Sequence, residues 1–197
     1  MLIGLAGRRR AGKDLVASFL KDTHGFEVRK FAGPMKAALC ALFDWNGDHM
    51  EGNLKEVVDP RWGVSPRKMM QFFGTELMQF RMQELIPDMG RSYAVKRAFL
   101  ESSVGAPCSD IVISDTRFQH EVDAIREHGG ITIRINRPSL GSQLDTAIDS
   151  HASEADIDLL DVDFDVKNDS TVDALHTNIA AIIAQHKRSR QLTPCQG

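Results

Sequence analysis

Residues 2–14 read LIGLAGRRRAGKD, from Leu2 to Asp14. Leu2 to Ala6 is a short apolar run, suited to a buried strand. It passes directly into Gly7-Arg8-Arg9-Arg10-Ala11-Gly12-Lys13, which has the spacing G-x-x-x-x-G-K, with Asp14 where Ser or Thr is usual. Each residue type has a physical use there. Glycines let backbone N–H groups turn inward around a polyphosphate. The helix that follows presents the positive end of its dipole. A lysine at position 13 reaches the outer phosphates. A dinucleotide fingerprint fails, because Gly4-Leu5-Ala6-Gly7 is not G-x-G. Asp14 has two readings: a magnesium ligand, direct or through water, or negative charge in the first helical turn.

Four further strands are expected outward from this loop: Phe26 to Phe31, Ile111 to Ser114, one around Ile131, Ile133 and Ile135, and one around Val162, Phe164 and Val166. Helical stripes lie between them. Leu15, Val16, Phe19 and Leu20 form the first. Val122 and Ile125 form another, ended by Gly129-Gly130. Val172, Leu175, Ile179, Ile182 and Ile183 form the last, with Ser170 or Thr171 as its N-cap. Strands alternating with helices imply a parallel α/β sheet with right-handed crossovers. Two connections exceed simple crossovers. Residues 32–109 are helical in composition, and residues 136–161 are polar; such long connections tend to carry function.

Composition narrows the classes. The chain has 197 residues, 42% of them hydrophobic, enough for a packed core. Lys and Arg number 24 against 27 Asp and Glu, so no general nucleic-acid coat is expected. No apolar run nears the roughly 20 residues that span a bilayer, and no membrane partner is expected. The opening MLIGLAGRRR places charge after the apolar stretch, the reverse of a secretory signal. Cys40, Cys108 and Cys195 are too far apart for a zinc site or disulfide framework, which favours the cytoplasm.

Charge is patterned along the chain. From Arg61 to Arg97 seven basic residues face three acids, a locally basic stretch in an acidic protein. Fixed guanidinium groups suit a phosphate dianion. Arg67 follows Ser65-Pro66, a helix entry, and Gln71 lies four residues on, along one face. Arg81 is a second candidate cation. Phe31, Phe72 and Phe73 suit either stacking on a base or plain core. Asp115-Thr116-Arg117 closes the third strand, where open α/β sheets bind ligands; Asp115 suits magnesium waters or a helix cap, and Glu121 the dipole of the next helix. From Ser139 to Val166 there is no Lys or Arg and there are eight acids, so Arg137, just before, is the first candidate cation, with Arg134 second.

The segments GLAGRRRAGKD, KFAGPMKAAL, GVSPRKMMQFFGTE, VISDTRFQHEVDAIREHGG, IRINRP, DSHASEADID and FDVKNDSTVDAL resemble the phage-type deoxynucleoside monophosphate kinases, within the P-loop nucleoside monophosphate kinase group. The resemblance runs from residue 4 to about 175. It implies an α/β P-loop kinase fold: a five-stranded parallel sheet in the order 2-3-1-4-5 with helices on both faces. It also implies a single domain, with residues 1–31 and 110–190 as core, 32–109 as a helical monophosphate-binding region, 136–161 as a lid, and a loose tail over 188–197. The implied reaction moves the γ-phosphoryl group of ATP, with Mg2+, to a deoxynucleoside 5′-monophosphate. ATP would lie on Gly7, Arg8, Arg10, Ala11, Gly12, Lys13, Asp14, Arg134 and Asn168. The acceptor would lie on Phe31, Lys36, Arg67, Gln71, Arg81, Arg117, His151 and Glu154. Lys13, Asp115, Arg117 and Arg137 would act in transfer, and Asp14 and Asp115 at the metal. His151 and Glu154 also fit a plain helix start. A homodimer and, for a phage protein, the host cytoplasm are compatible with this reading. Rival readings are another small-molecule kinase, of the dephospho-coenzyme A or phosphomevalonate type, and a nucleotide-switch ATPase.

Overall fold

A computed structural model describes residues 1–87, 93–100, 110–138 and 156–192. The chain divides into two compact units, Met1–Val28 with Cys108–Gly197, and Arg29–Pro107. In the first unit lie β1 (Leu2–Ala6), α1 (Lys13–His24), most of β2 (Glu27–Arg29) and β3 (Ile111–Thr116). They are followed by α7 (Gln119–Glu127), β4 (Ile131–Asn136) and β5 (Phe164–Lys167). A long C-terminal helix, α8 (Val172–Leu192), closes the unit. Among the described residues the strands form one sheet in the order β2-β3-β1-β4-β5, as the resemblance implies. The pairings of β1 with β3 and β4, and of β4 with β5, are parallel.

Alternation along β1 explains the two layers. Ile3 and Leu5 enter the main core with Val16, Ala17 and Leu20 of α1 and Leu175, Ile179 and Ile183 of α8. The other face carries small residues, Gly4 and Ala6, and α7 packs there. A Cβ on Gly4 would stand 2.4 Å from Ile125 Cδ1, so a side chain at this position would push α7 off the sheet. Each fully buried Ile or Leu of these layers contributes about 1.5–3 kcal/mol.

Several boundaries differ from expectation. The second strand is only Glu27–Arg29; Phe31 lies beyond it, buried, just before a helix that begins at Gly33. This is an edge strand, and the turn closed by the Gly33 N–H on the Lys30 carbonyl stops it early. β3 runs two residues past Ser114, to Thr116, because Thr116 pairs with Ala6. Leu15 is exposed, and Ala17 takes the buried place on α1. Thr171 is the cap of α8: its Oγ1 accepts from Ala174 N at 3.2 Å. Residues 188–192, expected in a loose tail, are instead the end of α8, which continues to Leu192 through good helix formers, and 193–197 lie outside the described residues.

The second unit is helical: α2 (Gly33–Phe43), α3 (Gly47–Met50), α4 (Pro66–Gln71), a π-helical segment (Phe72–Arg81), α5 (Met82–Leu85) and α6 (Tyr93–Leu100). Its core is Leu39, Trp45 and Met50, with Met35, Phe43, Met69 and Phe73 around them. The buried Asp59 carboxylate organises the loop before α4. It accepts from Trp45 Nε1 at 2.7 Å and from Arg61 Nη2 at 2.8 Å. No helix among the described residues is long and apolar enough to cross a membrane.

Candidate active site

The phosphate loop is built as the spacing requires. Gly7 and Gly12 have φ of 144° and 109°. A Cβ on Gly7 would stand 2.4 Å from the Ile135 carbonyl oxygen, and one on Gly12 2.6 Å from Asn168 Nδ2. Both conformation and space therefore demand glycine. Arg10 also takes a positive φ, 62°, at the turn. Ala11 N donates to Arg8 O at 3.1 Å and Val16 N to Gly12 O at 3.1 Å, which joins the loop to α1. Lys13 Nζ donates to the carbonyls of Gly7 at 2.5 Å and Arg8 at 2.9 Å. The ammonium thus lies over the inside of the loop. Asp14 is exposed in the first turn of α1.

A cleft of about 230 Å³ opens beside this loop, lined by Gly7, Arg8, Ala11, Arg134, Asn136, Arg137 and Asp158 among others. Arg137, exposed after β4, therefore shares one cleft with the loop. Arg8 Nη2 closes its rim on Asp158 at 2.5 Å. Arg134 stands differently from the expectation for a nucleotide ligand. Its Nε and Nη2 reach Asp165 at 2.6 Å each, and its Nη1 reaches the carbonyls of Ile157, Asp158 and Leu160 at 3.3, 2.7 and 3.1 Å. The guanidinium is committed to holding the end of the 136–161 connection onto β5. Asn168, expected among the residues on ATP, turns its side chain toward the loop: Nδ2 donates to Ala11 O at 2.9 Å, and its backbone N to Asn136 O at 2.7 Å.

Thr116 pairs with Ala6, so Asp115 and Arg117 emerge at the same sheet end as Gly7. Asp115 is half-buried within β3, and the N-cap position of α7 is Phe118, three residues further on. Glu121, read from sequence as a dipole partner, is buried and accepts the backbone N–H of Arg117 at 2.7 Å and of Phe118 at 3.2 Å. Burial, with the neighbouring Asp115 charge, pushes its pKa up to about 8 against the pull of those two amides.

In the second unit, Ser65 Oγ accepts from Lys68 N at 3.4 Å, and Pro66 opens α4. Arg67 donates from its backbone N to Lys55 O at 2.9 Å, and its Nε pairs with Glu56. Gln71 ends the same helix. Lys36 pairs with Glu51, which also meets Lys30 at 3.4 Å and Lys55 at 3.6 Å. Burial would raise the pKa of Glu51, yet the Lys36 hydrogen bond and the charges of Lys36, Lys30 and Lys55 bring it down to about 2. Arg81 is an exposed partner of Glu84 at 3.1 Å. Phe72 is exposed and meets Phe73 edge-on. His151, Glu154 and residues 139–155 lie outside the described residues. Sequence reasoning missed Glu51 and Lys55, which sit in a segment without periodicity, and missed the inward turn of Asn168. An Asn one residue past a strand was the only sign of the last.

No cluster of three or more His, Cys, Asp or Glu side chains suited to a metal occurs among the described residues. Single exposed or half-buried carboxylates, Asp14 and Asp115, fit a hard cation that takes most of its ligands from phosphates and water.

The family model for deoxynucleotide monophosphate kinase matches residues 47–179. A protein of Acanthamoeba polyphaga mimivirus, provisionally named for that same activity, is 33% identical over 190 residues, covering 93% of this chain and 96% of its own. The deoxynucleotide monophosphate kinase of Enterobacteria phage T4 is 29% identical, covering 90% of this chain and 96% of its own. In fold, the chain is similar to shikimate kinase from Aquifex aeolicus, with a TM-score of 0.53, 13% identity, and coverage of 95% of this chain and 98% of that one. The sheet order and the phosphate loop agree with these likenesses, and the chain belongs to the deoxynucleotide monophosphate kinase family.

Proposed function

We propose that the protein transfers the γ-phosphoryl group of ATP to a deoxynucleoside 5′-monophosphate, releasing ADP and the deoxynucleoside diphosphate. The observation that carries this reading is the Gly7–Lys13 loop, with its inward-lying ammonium, in a chain of this family. Lys13 and the loop amides hold the ATP phosphates. Lys13 exchanges the Gly7 and Arg8 carbonyls for phosphate oxygens. The Asn168–Ala11 bond keeps the loop in shape while this exchange occurs.

Mg2+ would be held by Asp14 and, through water, by Asp115, and when bound it neutralises charge on the transferring phosphates. Arg117 binds the acceptor phosphate from the end of β3, aimed by the Glu121 clamp on its backbone N–H. Lys36 and Arg67 bind the acceptor phosphate from the helical unit, and Gln71 reads the base. Arg137 meets charge that develops during transfer. The attacking oxygen already belongs to a phosphate, so no general base is required and positioning dominates.

A coupled ADP-release assay across the common ribo- and deoxynucleoside monophosphates tests the reading. ADP release that needs a deoxynucleoside monophosphate is the expected result. Release that runs equally with water alone would replace the kinase with an ATPase.

A further inference from the structure

Within the helical unit, four cations stand around two carboxylates. Lys36 Nζ donates to Glu51 Oε1, Lys30 Nζ lies 3.4 Å from the same oxygen, and Lys55 Nζ lies 3.6 Å from Oε2. Arg67 is tied to the same group by its backbone bond to Lys55 O at 2.9 Å, and its guanidinium meets Glu56. Lys30, Lys36, Lys55 and Arg67 against Glu51 and Glu56 leave two positive charges in excess.

This crowding is not neutral for the cations. The pKa of Lys55 is lowered, first by burial, and the Lys36 and Arg67 charges act in the same direction while Glu51 opposes them. Lys36 and Lys55 are mostly covered, with side-chain exposures of 20% and 22%. Such an excess is relieved by an anion of about two charges, and a phosphate monoester carries about that at neutral pH. Glu51 already sits where such an anion is expected: its two oxygens meet three ammonium groups, and half of its side chain is exposed.

We propose that Lys55, with Lys36, forms part of the cradle for the acceptor's 5′-phosphate, and that Glu51 is an internal anion occupying this cradle until the phosphate displaces it. The inference rests on the reading of Lys36 and Arg67 as acceptor-side residues. It adds a cation and a competing anion that the sequence did not point to. Glu51 keeps the lysines gathered when no acceptor is present, at the expense of acceptor affinity.

The two roles have opposite signs, and this makes the test decisive. Lys55→Gln and Glu51→Gln are made in the full chain and compared with wild type. The measurements are steady-state kinetics in each substrate and calorimetric binding of the preferred deoxynucleoside monophosphate and of the same deoxynucleoside without phosphate. Lys55→Gln should weaken monophosphate binding about tenfold or more, with deoxynucleoside binding and the KM for ATP unchanged. Glu51→Gln should tighten monophosphate binding several-fold. A purely structural network predicts that both variants lose thermal stability and both bind the monophosphate more weakly, and that result overturns the proposal. Unchanged monophosphate affinity in Lys55→Gln overturns it too, and leaves the kinase reading intact if wild type still turns the substrate over. A wild-type chain that neither binds nor phosphorylates any deoxynucleoside monophosphate removes both.

Discussion

The side-chain amide of Asn168, one residue past β5, donates to the main-chain carbonyl of Ala11 in the middle of the phosphate loop at 2.9 Å. The same residue's backbone N donates to Asn136 O at 2.7 Å, one residue before Arg137. One residue therefore ties the loop, through its side chain, to the ends of two neighbouring strands that its backbone joins. Asn168→Ala should raise the KM for ATP several-fold and leave the KM for the monophosphate unchanged. Asn168→Asp should be worse than Ala, because it sets a carboxylate against a carbonyl. Kinetics with ATP varied check this, and a variant in which Asp is better tolerated than Ala would refute the brace.

Lys13→Ala should lower kcat/KM by about a hundredfold or more, corresponding to about 3 kcal/mol of lost charge stabilisation. The melting temperature should hardly change, because the ammonium bonds to the Gly7 and Arg8 carbonyls of the loop and packs into no apolar core. Near-normal turnover by a folded variant would end the assignment of this loop to phosphate binding.

Arg134 and Arg137 are three residues apart and should fail in different ways. Arg134→Ala removes the bidentate contact to Asp165 and three carbonyl partners, so it should cost about 2 kcal/mol of stability, read from denaturant midpoints. Arg134→Lys should rescue little, since an ammonium cannot make that fork. Arg137→Ala should leave stability unchanged and lower turnover, whereas Arg117→Ala should also raise the KM for the monophosphate. If Arg137→Ala weakened only monophosphate binding, its role in transfer would be wrong.

Glu121 predicts a pH effect of definite sign. Its pKa rises from 4.5 unfolded to about 8 folded, so between these values the folded chain binds the extra proton. Its contribution to stability must then fall as pH rises from about 5 to 8. Glu121→Gln stays neutral and still offers an acceptor to Arg117 N. The stability of wild type relative to Glu121→Gln should therefore decline across that range. A constant difference would show that the two backbone amides keep Glu121 ionised throughout.

The sequence by itself determined the order of elements, the loop and the family. Apolar β1, the G-x-x-x-x-G-K spacing and the capped helix after it are local patterns, and backbone geometry alone makes Gly7 and Gly12 necessary. It also marked both long connections and the residues at the end of β3. The roles of polar side chains were another matter. Arg134 and Arg137 look alike in sequence, but one finds Asp165 across a strand pairing and the other opens into the cleft. Glu121 reads as an ordinary first-turn acid until α7 packs on the Gly4 face and buries it. Glu51 and Lys55 share one turn, but Lys36 reaches Glu51 from α2, 15 positions earlier, and that meeting depends on how α2 folds against the turn. Periodicity reports which face of an element is buried. Which charge meets which depends on contacts between residues distant in the chain, and only the tertiary structure decides those.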